Sequence, residues 1–93
     1  MKNEPFEIGH KSLSVGEWEK AKESLEEAIK IEFSPNILEE LVWACWWLND
    51  ASNVFEFRTK AHNLFLEEGD KLGAARNACW IGVDYIEFKG ELQ

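Results

Sequence analysis

Residue types able to do chemistry are sparse in this sequence, and their spacing keeps them apart. Carboxylates occur in pairs as Glu26-Glu27, Glu39-Glu40 and Glu67-Glu68, the residue type that general acid–base catalysis uses. Sequence neighbours on a helix point roughly 100° apart, so no such pair converges on one proton. Solvated helix faces with i,i+4 partners, such as Lys22–Glu26 and Glu26–Lys30, are the expectation instead. His10 and His62 have no carboxylate or cysteine partner at metal-ligand spacing and read as surface histidines. Cys45 and Cys79 sit among apolar residues without basic neighbours to activate a thiolate, and are expected to be buried small hydrophobes. The stretch Gly69 to Gly73 lacks the Lys-Ser/Thr that completes a phosphate-binding loop. These patterns predict a protein that is not an enzyme and that uses no metal or cofactor.

The aromatic residues remain. Five tryptophans and six phenylalanines occur in 93 residues. Trp43, Trp46 and Trp47 span about one face of a helical segment whose other face carries Leu38, Leu41, Cys45 and Leu48. Trp80 follows in a later segment, near Asp84, the one acid inside the apolar stretch Ile81 to Ile86. Tryptophan joins a large apolar area to a single N–H donor, which suits binding surfaces. Trp43, Trp46, Trp47, Trp80 and Asp84 are therefore the candidate partner-binding residues. The competing reading has the rings filling the space between helices and Asp84 accepting a hydrogen bond from a neighbouring indole.

Composition narrows the class of partner. Lys and Arg total 10 against 18 Asp and Glu, for a net charge of −8, the wrong sign for a phosphate-backbone binder. A basic or mixed protein or peptide suits that surface, and nucleic acid does not. The longest apolar run, Leu41 to Leu48, is far short of the ~20 residues that span a bilayer. No secretory apolar segment follows Met1. Two cysteines make no disulfide framework. The chain reads as one domain, residues 1–93, in the cytoplasm.

Helices must position these residues. Turn signals stand at Gly16-Glu17, Asn49-Asp50 and Gly90-Glu91. A short helix is predicted over Phe6 to Leu13. The next covers Glu17 to Ile31, with Trp18, Ala21, Leu25, Ala28 and Ile29 as its apolar stripe and a capping box from Ser14 to Glu17. Ser34-Pro35 has the cap-then-proline order that starts a helix. That helix is apolar on every side from Leu41 onward, so it must lie between neighbours. Asp50 is the expected N-cap of a helix from Ala51 to about Glu68, ended by Gly69 in the left-handed conformation. Asp70 caps the last, Lys71 to Lys89. Its packing residues are expected in two seams, Ala74, Ala78, Gly82 and Tyr85 beside Ala75, Cys79, Val83 and Ile86.

The pattern repeats. Gly16-Glu17 returns 33 residues later as Asn49-Asp50, and Ala28 returns as Ala61. That period is the length of a helix-turn-helix solenoid unit. On these residues, and on "VGEWEKAKESLEEAI", "SPNILEELVWACWWLNDAS", "RTKAHNLFLEEGDKLGAARNACWIGVDY" and "EFKGE", the sequence resembles tetratricopeptide repeats. It resembles in particular the repeat region of large bacterial LuxR-type transcriptional regulators and some nucleotide cyclases. Asn49 stands where glycine is usual and Val54 where alanine is. No DNA-binding helix-turn-helix, ATPase or cyclase module occurs in these residues. The resemblance implies an all-α, short, right-handed TPR-like solenoid of about five helices, or two and a half helical pairs. It implies a non-catalytic protein-interaction module in a signalling or transcription-regulatory protein. Two alternatives follow from the same reading. One is a homodimer formed through the open apolar face of residues 74 to 88. The other is a small-molecule sensor built on the tryptophan cluster.

Overall fold

The computed structural model describes residues 3–88, whose regular secondary structure is entirely helical. The five helices are α1 (Glu4–Ser14), α2 (Trp18–Ile31), α3 (Pro35–Trp47), α4 (Ala51–Glu67) and α5 (Lys71–Phe88), and the described residues contain no strand. Gly90, expected to end the last helix, lies outside them. No described helix is long and apolar enough to cross a membrane.

Three of the four connections share one device. Gly16, Asn49 and Gly69 adopt φ of 83°, 60° and 77°, and each stands two residues after a helix. At all three, the next residue's amide donates back across the turn: Glu17 N to Ser12 O at 2.9 Å, Asp50 N to Cys45 O at 2.9 Å, and Asp70 N to Phe65 O at 2.8 Å. These are Schellman closures, which take up the carbonyls a helix end leaves open. The fourth connection, from α2 to α3, is extended instead, and Ser34 caps α3 by accepting from Asn36 N at 3.2 Å. Asp70 caps α5 by accepting from Gly73 N at 2.9 Å. The capping box expected at Ser14 is not formed. Ser14 belongs to α1 and its hydroxyl donates to Lys11 O, while Glu17 holds the N-cap position with no side-chain bond.

Helix α3 is central, packing on α1, α2 and α4, and its side chains reach α5. Leu38, Leu41, Val42, Ala44 and Cys45 are fully buried, as an all-round apolar helix requires. Ala21, Leu25 and Ala28 of α2 and Val54, Ala61 and Phe65 of α4 meet them. Each fully buried Leu or Val contributes about 1.5–3 kcal/mol. Helix α1 approaches α2 through Gly9, where an added Cβ would stand 2.6 Å from Leu25 Cγ.

Helix α5 departs from the expected seams. Its buried residues are Gly73, Ala74, Asn77, Asp84 and Phe88. Ala75, Ala78, Cys79, Gly82, Val83, Tyr85 and Ile86 are all exposed. Cys79 is therefore not the buried hydrophobe its surroundings in sequence suggested, whereas Cys45 is. The charged faces also differ in detail. Lys22 pairs with Asp50 at 3.4 Å and Lys30 with Glu27 at 3.3 Å, because the α3–α4 turn brings a carboxylate closer to Lys22 than its own helix offers.

Candidate functional site

The five tryptophans form one continuous contact chain. Trp18 of α2 stacks on Trp47 of α3 with centroids 5.2 Å apart and planes 11° from parallel. Trp47 meets Trp46 edge-on at 5.6 Å, Trp46 meets Trp43 at 6.2 Å, and Trp43 meets Trp80 of α5 edge-on at 4.9 Å. All these separations lie in the range where offset and T-shaped pairs are favourable, about 0.5–1.5 kcal/mol each beyond burial. Trp47 is 55% exposed, while Trp43, Trp46 and Trp80 are half-buried. Phe88 closes on Trp46 at 5.7 Å.

A buried ion pair lies beneath Trp43 and Trp80. Arg58 of α4 is 1% exposed and Asp84 of α5 fully buried. Arg58 Nε donates to Asp84 Oδ2 at 3.0 Å, and Trp46 Nε1 donates to Asp84 Oδ1 at 3.2 Å. The Arg58 guanidinium carbon stands 5.4 Å from the Trp43 ring centre and 5.7 Å from that of Trp80, within cation–π range of both. Arg58 Nη2 is buried and has no hydrogen-bond partner. Buried polar groups are nearly always paired, so an orphaned guanidinium nitrogen needs an explanation.

Above this pair opens a cleft of about 400 Å³, lined by Asn36, Glu39, Glu40, Trp43, Arg58, Arg76 and Trp80. Its rim is fixed by links between helices. Glu39 receives Arg76 Nε and Nη2, both at 2.9 Å, in the bidentate geometry that is the strongest for this pair. These hydrogen bonds raise the Arg76 pKa still further above its ordinary value. Asn77 Nδ2 adds a 3.0 Å bond to the same carboxylate. Glu40 turns the other way, to His10 Nδ1 of α1 at 2.8 Å. The adjacent carboxylates Glu39 and Glu40 thus tie α3 to α5 and to α1. His10 is not without a carboxylate: its partner lies 30 residues along the chain, a distance that ligand-spacing rules do not search.

Trp43, Trp46, Trp80 and Asp84 are brought together around Arg58. Trp47 is not: it stacks on Trp18, which lines a separate opening with Glu17, Glu19, Lys20, Glu23 and Leu48. Asp84 accepts from an indole, as the structural reading of that residue anticipates, and binds an arginine as well. Arg58 itself escaped the sequence reading. Its signal is position: 51, 54, 58, 61 and 65 alternate steps of three and four, and all five residues are buried. A cation on such a stripe calls for a buried anion, and Asp84 is the one buried acid among the described residues. Among the described residues no group of His, Cys, Asp and Glu has the arrangement of a metal site.

Comparison with protein-family models, with curated proteins and with solved structures gives no match to this chain.

Proposed function

We propose that the chain is a non-catalytic helical-repeat interaction module whose cleft between α3 and α5 receives a peptide or protein segment. The observation that carries this reading is the floor of the cleft, where a buried arginine with an unpartnered nitrogen lies beneath two half-buried tryptophans. A rigid aromatic wall over a buried ion pair presents the large, pre-ordered contact area that binding hot spots use. The matching Schellman turns at Gly16 and Asn49, which join α1 to α2 and α3 to α4, support reading the helices as pairs of a TPR-like solenoid, right-handed as the sequence resemblance implies. In that reading the module senses or transmits within a regulatory protein, the setting the sequence resemblance implies. The net charge of −8 favours a basic or mixed partner through faster encounter. The test is selection of a displayed random-peptide library on the full chain, with Trp80→Ala as counter-target and circular dichroism confirming that both are folded. Peptides retained by the parent chain and lost on the variant are expected. Peptides held equally by both rule out the cleft.

A second reading is self-association, favoured by the outer face of α5. Leu72 is 82% and Ile86 74% exposed, and Val83 and Tyr85 are exposed as well; exposed apolar side chains gathered in a patch mark interaction surfaces. Sedimentation across a concentration series decides it: a monomer at the highest concentration excludes the dimer.

A further inference from the structure

The outer face of α5 carries a pattern that the fold itself does not use. Leu72, Ala75, Cys79, Val83 and Ile86 are all exposed. At ~100° per residue they lie within about 40° of one line along the helix, opposite the buried Asn77 and Phe88. Their gaps of three, four, four and three read the same in both directions about Cys79. Leu72, Cys79 and Ile86 stand seven apart, the heptad step by which one helix seats another. The flanking positions complete the symmetry with opposite signs: Lys71 comes eight residues before Cys79 and Glu87 eight after. Between them the only charges are on Arg76, held by Glu39, and on Asp84, buried against Arg58. On a molecule of net charge −8, this face does not repel its own copy. Gly82 lies on the same face. Glycine weakens a helix interior, yet an added Cβ at Gly82 would meet nothing within 4 Å. Nothing inside the chain requires a glycine there, whereas the close approach of a second helix does.

We propose that a second copy of the chain covers this face, the two α5 helices running antiparallel across a two-fold axis at Cys79. Leu72 of one copy then meets Ile86 of the other, Ala75 meets Val83, and the two Cys79 side chains face each other, as an isologous contact requires. Lys71 comes level with Glu87 of the other copy and with the negative end of its helix. A parallel pair would instead set Lys71 level with Lys71 and Glu87 with Glu87. The seam spans only two heptads, against the three or four that sustain a stable coiled coil, so the dimer is transient and dilution separates it. The proposal rests on the self-association reading and goes beyond it by fixing the axis and the register.

The test is cross-linking of the full chain by a short bis-maleimide, which needs no oxidant, beside sedimentation at the same concentrations from about 0.5 mM downward. Cys79 is the exposed native thiol and Cys45 is buried, so the unsubstituted chain is expected to link through Cys79. Orientation is read from two variants in a Cys79→Ser background, Leu72→Cys and Ile86→Cys, treated separately and as an equal mixture. Leu72 and Ile86 are 82% and 74% exposed, so neither change touches the core. In the antiparallel pair, identical positions at 72 or at 86 lie about 21 Å apart along the seam at ~1.5 Å per residue, beyond the reagent. The mixture is therefore expected to give at least about fivefold more linked dimer than either variant alone, with a sedimenting dimer that dissociates on dilution. Equal linkage in the mixture and in the separate variants overturns the register; a dimer still seen by sedimentation then leaves the self-association reading standing. A monomer at every concentration overturns both, and the cleft is judged separately by its peptide selection.

Discussion

Removing Asp84 should strip the fold of much of its stability, and restoring neutrality should return most of it. In Asp84→Ala the Arg58 guanidinium keeps its place at 1% exposure and loses its counter-ion. Leaving a buried charge unpaired costs about 3–5 kcal/mol, and the orphaned Trp46 indole N–H adds about 1 kcal/mol. A domain of this size has only about 5–15 kcal/mol in total. With an m-value of about 1.5 kcal/mol/M in urea, a loss of about 4 kcal/mol lowers the unfolding midpoint by about 2–3 M. Arg58→Met strands the carboxylate instead and should cost a similar amount. The double variant removes both charges and fills the space with an apolar chain, so it should be no less stable than either single one. Urea unfolding followed by tryptophan fluorescence reads all four proteins, and the coupling in the cycle should be about 3 kcal/mol or more. Additive losses, or a cost below about 1 kcal/mol for Asp84→Ala, would refute a buried pair whose charges depend on each other.

Two glycines of α5 should respond oppositely to alanine. A Cβ at Gly73 would stand 2.5 Å from Phe65 Cδ1, whereas none meets anything within 4 Å at Gly82. Gly73→Ala should cost about 1–3 kcal/mol by overpacking and Gly82→Ala should gain about 0.5–1 kcal/mol of helix propensity, seen as opposite shifts in melting temperature. Burial alone would raise the Asp50 pKa, but hydrogen bonds from Asn53 and Lys22 win and hold it below the ordinary 3.8. A folded-state value below the unfolded one means that Asp50 stabilises the fold above about 3.8 and loses this effect as pH falls through the depressed value. Asp50→Asn should therefore flatten that part of the acid-unfolding curve, and an unchanged curve contradicts the assignment. Burial, aided by the Asp50 carboxylate, pushes the Cys45 thiol up to about 12, while Cys79 is exposed. A thiol reagent at neutral pH should label Cys79 alone in the native protein and both cysteines in urea; native labelling of Cys45 contradicts the packing of α3.

At two helix ends a single residue type was a sufficient guide, whereas the cap read at Ser14 lies inside α1. Ser34-Pro35 starts α3 and Gly69 ends α4 because a cap and a left-handed residue are local requirements. Stripes on α2 and α4 were legible for a similar reason, since polar residues mark their outer sides. Helix α5 lacks that contrast. Residues 78–86 are apolar almost all round, while the positions that pack inward include Gly73, Asn77 and Asp84. Hydrophobic periodicity therefore selected the wrong face. The cleft was half legible: its tryptophans and Asp84 stand out by type, but Arg58 counts as polar in a hydrophobic pattern and is marked only by its place on the stripe 51, 54, 58, 61 and 65. The stacking of Trp47 on Trp18, across 29 positions of chain, likewise depends on how α2 and α3 meet.

The most direct test of the central claim is chemical-shift mapping of one selected peptide on the ¹⁵N-labelled chain. The account predicts saturable shifts at Trp43, Arg58, Arg76 and Trp80, with the His10 and Glu40 amides at the edge of the footprint. Shifts confined to Val83, Tyr85 and Ile86 on the outer face of α5, or to Trp18 and Trp47, would contradict it.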